Sequence, residues 1–543
     1  MRLRTAIITA LIGVVALGSS AWLLRPIQSD KFRIYFDEKL IEGKKKYLSE
    51  DLMPSTDTLK RPNIILILAD DLGKTDISLY GNKVVSTPNI DGIGRNGVIF
   101  TEGYISSPVC SPSRAGLLTG RYQQRFGHEF QPNHRYLKSM AEYYGFKMLP
   151  RFRPITPIKS KEVPETEERL RQGLPPSELT LAEVLKKYGY TSAVIGKWHL
   201  GAADFALPTN RGFDYQYGFY EAFTLYAPKQ TPGIVSTPIH RDFMDHHQWE
   251  MAEGRTGNCA ILRNCCERQE EDKYLTNVLT DEAINFIDRS KDKPFFLYLP
   301  YNAPHAPLQV TKEYYDKFAF IKDPVKRTYA AMIKSLDDQV GRLLQHVDSL
   351  GLGDNTIIVF LSDNGGAVYN GTTDNAPYRG GKLTNFEGGL LVPFMMEWKG
   401  KIKPGSVYTN PVISLDIFAT VAAAIGLQLP TDRVYDGVDL LPFVNGEKKE
   451  KAHEALYWRS DFNSAIRKGD WKLILNEYDN TNQLYNMKAD STEMNNLYAQ
   501  KPEVVKELKG QLNAWEGEMV KPLWPRVVNY VYKDSIGKYV FAF

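Results

Sequence analysis

Cysteine is scarce in this chain: four residues in 543, at positions 110, 259, 265 and 266. So few exclude a disulfide framework as the main source of stability. An excess of one charge is also missing, with 67 Lys and Arg against 64 Asp and Glu and a net charge of +3. That near-balance gives no general electrostatic case for a nucleic-acid partner, and none is expected. Internal repeats and low-complexity tracts are absent too, which excludes repeat architectures. Charge is absent locally from Thr5 to Leu24, between Arg2 and Arg4 on one side and Arg25 on the other. A run of about 20 such residues can span a bilayer with its arginines on the cytoplasmic side. The small residues Gly18, Ser19, Ser20 and Ala21 equally suit cleavage of a signal peptide. Membrane anchor or signal peptide, residues 1–24 are expected to export the chain to the periplasm, the cell envelope or the medium.

With 43% hydrophobic and 12% aromatic residues, the chain can bury a large core. Residues 25–60 are charged, include Lys44-Lys45-Lys46, and read as a spacer. From residue 61 short apolar runs alternate with helical patterns. Asn63 to Ala69, Thr191 to Ile195, Pro294 to Leu299 and Thr356 to Leu361 have the continuous apolar character of strands buried on both faces. Thr180 and Glu183 have capping-box spacing, opening a helix that Gly189 can end. Asn277 to Ile287 reads as a helix. Met332, Leu336, Val340, Leu343, Val347 and Leu350 step by three and four along another, stopped by Gly351. This alternation predicts an α/β fold with a large, mostly parallel sheet flanked by helices over residues 61–430. After Pro430 the segments shorten. Ala455–Trp458, Ser464–Arg467 and Trp471–Leu475 read as strands around a Lys468-Gly469-Asp470 turn, followed by a helix from Glu503 to Met519. A smaller C-terminal α+β domain with an antiparallel sheet is therefore expected over 431–543.

In open parallel sheets ligands bind beyond the carboxyl ends of the strands. Four strands here end in chemistry: Asp70-Asp71, Lys197-Trp198-His199, Asn302 to His305, and Asp363-Asn364. Asp70, Asp71, Asp363 and Asn364 are hard oxygen donors suited to Ca2+ or Mg2+. His199 and His305 are candidates for proton transfer. Arg114 and Lys382, the latter in a Gly-Gly-Lys loop, offer positive charge to a tetrahedral oxyanion. Cys110 precedes Pro112, which can open a helix, so Cys110 is placed just before a helix N-terminus. Two long stretches could wall a pocket. One contains His134, Arg135, Arg151, Arg153 and Lys159; the other contains His240, Arg241, His246 and His247.

Cys110-Ser111-Pro112-Ser113-Arg114, followed by a helix and Thr119-Gly120-Arg121, resembles the signature of the formylglycine-dependent sulfatases, arylsulfatase-like members of the alkaline phosphatase superfamily. The resemblance runs from about Pro62 to Tyr498 and includes late motifs at Leu484 to Met487 and Asn495 to Leu497. It implies that a maturation enzyme converts Cys110 to formylglycine. Asp70, Asp71, Asp363, Asn364 and residue 110 then hold one metal ion per chain, Ca2+ in preference to Mg2+. Arg114, Lys197, His199, His305 and Lys382 form the remaining catalytic shell. One hydroxyl of the hydrated aldehyde attacks sulfur, His305 protonates the departing alcohol, and His199 takes the proton of the second hydroxyl as sulfate leaves. With Cys110 modified, three cysteines remain, and a bridge from Cys259 to Cys265 or Cys266 is plausible. The implied substrate is a sulfate ester on a polysaccharide or oligosaccharide. Two alternatives share part of the pattern: a phosphonate or phosphate ester hydrolase of the same superfamily, and a non-catalytic glycan-binding protein of the envelope.

Overall fold

The computed structural model describes residues 20–24, 31–50, 61–132, 136–137, 139–148, 154–158, 163–242 and 244–543. Most of the uncharged run from Thr5 lies outside these residues, as do His134, Arg135, Arg151, Arg153 and Lys159. Among the described residues no helix is long and apolar enough to cross a membrane.

The main body is built on one ten-stranded sheet. Asn63–Ala69 lies near its middle and pairs in parallel with Thr356–Ser362 on one side and Phe295–Pro300 on the other. Thr191–Lys197 and then Tyr215–Phe219 continue the parallel run. Antiparallel strands enter toward both edges, where Phe394–Glu397 joins Thr356–Ser362 and Leu262–Arg263 joins Tyr215–Phe219. The two faces are separated by simple alternation along the strand. Ile65, Ile67 and Ala69 share a core with residues of the helices Pro88–Asn96, Leu275–Ser290 and Pro324–Ser349. Ile64, Leu66 and Leu68 face the helices Cys110–Thr119, Leu181–Lys187 and Asp416–Ala424. All five residues from Ile64 to Leu68 are fully buried, each contributing roughly 1.5–3 kcal/mol. A charge at Leu66 would break this centre.

Local signals read from the sequence are in place. Thr180 Oγ1 accepts the Glu183 N–H at 3.1 Å, while Glu183 accepts the Thr180 N–H at 2.8 Å. Gly189 and Gly351 have φ of 81° and 70°, the left-handed geometry that ends helices. Gly196 has a different reason to be glycine: a Cβ there would sit 2.0 Å from the Pro300 carbonyl oxygen. The strand that delivers Lys197 can therefore approach its neighbour closely.

The C-terminal region has a four-stranded antiparallel sheet, Ala455–Ser460, Asn463–Lys468, Trp471–Asn476 and Gln483–Asn486, with the helix Pro502–Glu516 packed on it. Its core is continuous with the main body through Tyr104, Phe386, Leu390 and Trp458. Trp458 Nε1 donates to the Ile105 carbonyl at 2.7 Å.

Three sequence expectations change. Residues 31–50, read as part of a spacer, are folded onto the main body. Glu38–Ser49 is a helix, and Lys44 turns inward to meet Glu183 Oε1 at 2.5 Å and the Glu178 carbonyl at 2.7 Å. Only Lys45 and Lys46 of the lysine run are exposed. The apolar partners that make this helix dock lie far away in sequence, which hid it. Secondly, Cys110 is the first residue inside its helix, with Val109 as the cap and Pro112 two positions later. The first four helical N–H groups have no intrahelical acceptor, so Pro112 loses nothing there. Thirdly, Cys259 makes no disulfide with Cys265 or Cys266. It is buried against Phe223, Leu225 and Trp249, whereas Cys265 and Cys266 meet each other at 2.7 Å on a more exposed turn.

Candidate active site

The parallel strands bring their carboxyl ends to one edge of the sheet. Asp70 donates its N–H to the Ala303 carbonyl at 3.1 Å, and Asp363 donates to Ala69 at 3.0 Å, so three strand ends are tied together. Asp71 has φ of 63°, a left-handed backbone that Asp tolerates better than most residues. Asp363-Asn364 is followed by Gly365, where a Cβ would strike the Gly388 carbonyl oxygen at 1.8 Å. That close approach joins the Asp363 loop to the loop bearing Lys382.

Oxygen and sulfur donors converge in the resulting cleft. Atoms of Asp70, Asp71, Cys110 and His305 lie within 4.8 Å of one another, all buried. Cys110 Sγ is 3.6 Å from Asp70 Oδ1 and 4.0 Å from Asp71 Oδ1. Asn364 Nδ2 donates to Asp71 Oδ1 at 2.7 Å, while its own Oδ1 is buried without a partner. Asp363 is turned partly aside. Its Oδ2 accepts from Arg114 Nε at 2.9 Å and Nη2 at 2.7 Å, and its Oδ1 accepts the Asp71 N–H at 3.3 Å.

Cations surround this acidic centre. Lys197 Nζ lies 2.6 Å from Asp70 Oδ2, and Lys382 Nζ lies 2.7 Å from Asp71 Oδ1. Arg114 Nη1 also donates to the Lys197 carbonyl at 2.9 Å, locking helix to strand. Burial and the neighbouring Asp363 push the Asp70 carboxyl up to about 7. Burial acts on Asp71 in the same direction, but Lys382 and His305 outweigh it and hold that carboxyl down at about 2. Burial opposes the charge of Lys382 as well, yet Asp71 keeps its ammonium well above the usual lysine range. The Cys110 thiol is pushed up to about 12, first by burial and then by Asp363. An unmodified Cys110 is thus a protonated, poor nucleophile.

Both candidate histidines are buried beside these lysines. His305 Nε2 is 3.6 Å from Asp71 Oδ2, and its Nδ1 contacts the Ala306 carbonyl. Burial, then Lys382, lowers its pKa to about 3. His199 has φ of 57° and a buried Nδ1 without a partner. Burial, then Lys197 and Arg114, holds it well below the ordinary imidazole range. All ten residues singled out from the sequence therefore lie at one sheet edge. The arrangement can bind a tetrahedral anion among Arg114, Lys197 and Lys382, with proton carriers on hand.

Residues 62–427 match the family model described as Sulfatase, and residues 381–518 match that described as N-sulphoglucosamine sulphohydrolase, C-terminal. The chain belongs to the sulfatase family. It is accordingly a sulfuric ester hydrolase. It is 33% identical over 421 residues to N-acetylgalactosamine-6-sulfatase of Mus musculus, covering 76% of this chain and 72% of that protein. With the steryl-sulfatase of Homo sapiens it shares 33% identity over 454 residues, 73% of this chain and 72% of the other. The crystal structure of Ps i-CgsB superposes with a TM-score of 0.71 at 31% identity, over 86% of this chain and 94% of that one. Ps i-CgsB is also solved in complex with k-i-k-neocarrahexaose.

The sulfatase centre fits a hard divalent cation. Three carboxylates crowd one another, and the Asn364 carbonyl oxygen is buried and unused. Several neighbours were not foreseen from sequence. His128 Nε2 lies 2.7 Å from the hydroxyl of Ser111, next to Cys110. Asn375 Nδ2 donates to the carbonyls of Gly366, Gly380 and Gly388 at 3.0–3.2 Å, pinning the Asp363 and Lys382 loops together. The only sequence signal for Asn375 is its place seven residues before Lys382 in a turn-rich segment. Of the proposed pocket-wall histidines, His240 and His246 are exposed, and His246 pairs with Glu250 at 3.0 Å. They are surface residues. The buried Asp242 between them was passed over.

Proposed function

We propose that this sulfatase removes sulfate from a sulfated carbohydrate, with residue 110 acting as nucleophile after oxidation of its thiol to formylglycine. The single observation that carries the reading is the place of Cys110. It sits at a helix N-terminus, within 4.0 Å of two carboxylates and enclosed by Lys197, Lys382 and Arg114. A thiol held near 12 has no use there as it stands, whereas a hydrated aldehyde offers two hydroxyls. A bound Ca2+, preferred over Mg2+ by family resemblance, would be held by Asp70, Asp71, Asp363, Asn364 and residue 110, and would supply positive charge for sulfate oxygens.

The chain's own residues account for the rest. Arg114, Lys197 and Lys382 fix and neutralise the sulfate oxygens, and their buried ion pairs with Asp363, Asp70 and Asp71 keep them preorganised. One hydroxyl of residue 110 gives its proton to the Asp363 carboxylate and attacks sulfur as the ester S–O bond breaks and His305 gives a proton to the departing alcohol. His199 takes the proton of the second hydroxyl, the C–O bond to the sulfate breaks, and the aldehyde reforms. Burial and the lysines keep both imidazoles neutral, which suits His199 as a base. A bound sulfate anion adds the opposite charge and raises the proton affinity of His305, which suits it as an acid.

Two of the similar proteins support a carbohydrate substrate, an N-acetylgalactosamine-6-sulfatase and a structure solved with a neocarrahexaose, whereas the name of the steryl-sulfatase does not. Cys110 is only 1% exposed, so its oxidation requires a maturation enzyme that meets the chain before folding is complete. Export by the N-terminal segment, anchored or cleaved, belongs to the same reading. Peptide mass spectrometry of active protein tests it: residue 110 should have lost its sulfur, with sulfate released from sulfated saccharides. An intact thiol throughout an active preparation overturns the formylglycine assignment.

A further inference from the structure

We infer that Cys265 and Cys266 are a redox modification site, at which the two adjacent thiols close reversibly into a vicinal disulfide. Both lie away from the sulfatase centre, at the turn between Leu262–Arg263 and Glu267–Arg268, the hairpin that forms one edge of the ten-stranded sheet. Cys265 is half-buried and Cys266 exposed, so small molecules reach the pair from solvent.

Adjacent cysteines do not ordinarily meet. Along an extended chain successive side chains point to opposite faces. Consecutive Cα atoms also stand about 3.8 Å apart, short of the roughly 4.4–6.8 Å that disulfides usually span. Here the turn overrides both obstacles. Asn264 and Cys265 have φ of 46° and 73°, and the two sulfurs are brought to 2.7 Å. One buried side chain on the neighbouring strand Tyr215–Phe219 fastens that conformation. Gln216 Oε1 accepts the Cys265 N–H at 2.9 Å, and its Nε2 donates to the Leu262 carbonyl at 3.1 Å. Asn264 completes the clasp. Its Oδ1 accepts the Gln216 N–H at 3.1 Å, and its own N–H donates to the Gln216 carbonyl at 2.9 Å. The thiols are thus held face to face before any bond forms, which raises the effective concentration of one at the other.

Such a bridge is no staple. The entropy that a disulfide removes from the unfolded chain grows with the loop it closes, and this loop has no intervening residue. What the pair has instead is reversible chemistry. The exposed Cys266 thiolate attacks one sulfur of an external disulfide, whose other sulfur leaves as a thiolate. The Cys265 thiolate then attacks the Cys266 sulfur of this mixed disulfide, forming the Cys265–Cys266 bond and releasing the second thiolate. The protein gives up two electrons and two protons, and the oxidant takes up both as it becomes two thiols.

The test uses oxidised glutathione as the probe and needs no variant. The purified full chain is equilibrated with mixtures of oxidised and reduced glutathione, quenched with acid, unfolded, alkylated without reductant and digested with trypsin. Cleavage after Arg255, Arg263 and Arg268 places Cys259 in one peptide, residues 256–263, and the pair in another, residues 264–268. After oxidation the second peptide should carry no alkyl group and be lighter than the free dithiol by two hydrogen atoms, while the first carries one alkyl group. Treatment of the oxidised protein with dithiothreitol under native conditions should restore two alkyl groups to residues 264–268. The equilibrium constant for closure should be at least roughly tenfold larger in native buffer than in denaturing urea, because only the fold aligns the thiols. Two alkyl groups or two glutathiones on residues 264–268 after oxidation overturn the proposal, as does a link between the two peptides. Equal closure in native buffer and in urea overturns it as well.

Discussion

Lys382 and Asp71 share one buried contact: the ammonium stands 2.7 Å from Asp71 Oδ1, the oxygen that also receives the Asn364 amide proton. A cation proposed to bind the anion and a carboxylate proposed to bind the metal are thus coupled. Replacing Lys382 by Ala removes charge needed for sulfate but leaves the oxygen donors. Hydrolysis should fall roughly 100- to 1,000-fold, while bound calcium, measured on the purified protein, stays near wild type. Loss of metal together with activity would place Lys382 in a structural role instead.

Asp363 carries two loads, as a proposed metal donor and as the partner of buried Arg114. Asp363→Ala strands a guanidinium inside the protein, which typically costs about 3–5 kcal/mol. It should lower the melting temperature as well as empty the metal site. Asp363→Asn keeps an acceptor for Arg114 and should melt closer to wild type, yet bind calcium weakly. A folded Ala variant that keeps both metal and activity would remove Asp363 from the ligand set.

The roles proposed for the two histidines divide by half-reaction. His305→Ala should harm substrates with basic leaving groups most and relatively spare a nitrophenyl sulfate, whose leaving group hardly needs a proton. His199→Ala should slow both to a similar low rate and let the sulfated enzyme accumulate. Intact-protein mass spectrometry after brief exposure to substrate reads this directly. An adduct in the His305 variant alone would exchange the roles.

His128 gives the fold an acid limit. Burial, opposed only weakly by its contact with the Gly173 backbone, lowers it to about 3, whereas an unfolded histidine titrates near 6.5. Between these values the unfolded chain holds the extra proton, so stability from this group is complete above pH ~6.5 and falls as pH drops toward 3. Acidifying from pH 6.5 to 5 should cost on the order of 2 kcal/mol through His128 alone. Melting curves of His128→Gln should show a shallower pH dependence over that range. An identical slope in both proteins would refute the account.

The strand ends were legible because their chemistry is contiguous: Asp70-Asp71, Lys197-Trp198-His199 and Asp363-Asn364 each follow a run of buried residues. The Thr180–Glu183 cap and the Gly351 stop were legible for the same local reason. What stayed hidden depends on partners distant in the chain. Lys44 looks like part of a solvated run until Glu183 and Glu178 are brought beside it. The hairpin Val528–Lys533 and Lys538–Ala542 was missed altogether, since its third strand, Ile155–Pro157, comes from a part of the chain far away in sequence.

That hairpin has a consequence for catalysis. Phe386 is surrounded by the rings of Tyr532, Tyr539 and Phe541 at 5.5–5.7 Å. Arg379 stacks on Phe386 at 4.2 Å and on Tyr539 at 4.7 Å, and pairs with Asp534 at 2.6 Å. Lys382 lies between Arg379 and Phe386 on the same loop, so the last strands clamp the segment that delivers this lysine to the site. Ending the chain at Arg526 should therefore reduce kcat/KM for a nitrophenyl sulfate by more than tenfold, because small displacements of positioned groups cost about that much or more. Asp534→Ala loosens a single contact and should have a milder effect. Arg379→Lys should be worse than Asp534→Ala, since an ammonium cannot replace a guanidinium stacked on two rings. A truncated enzyme that melts lower but turns over at the wild-type rate would show that the hairpin serves stability alone.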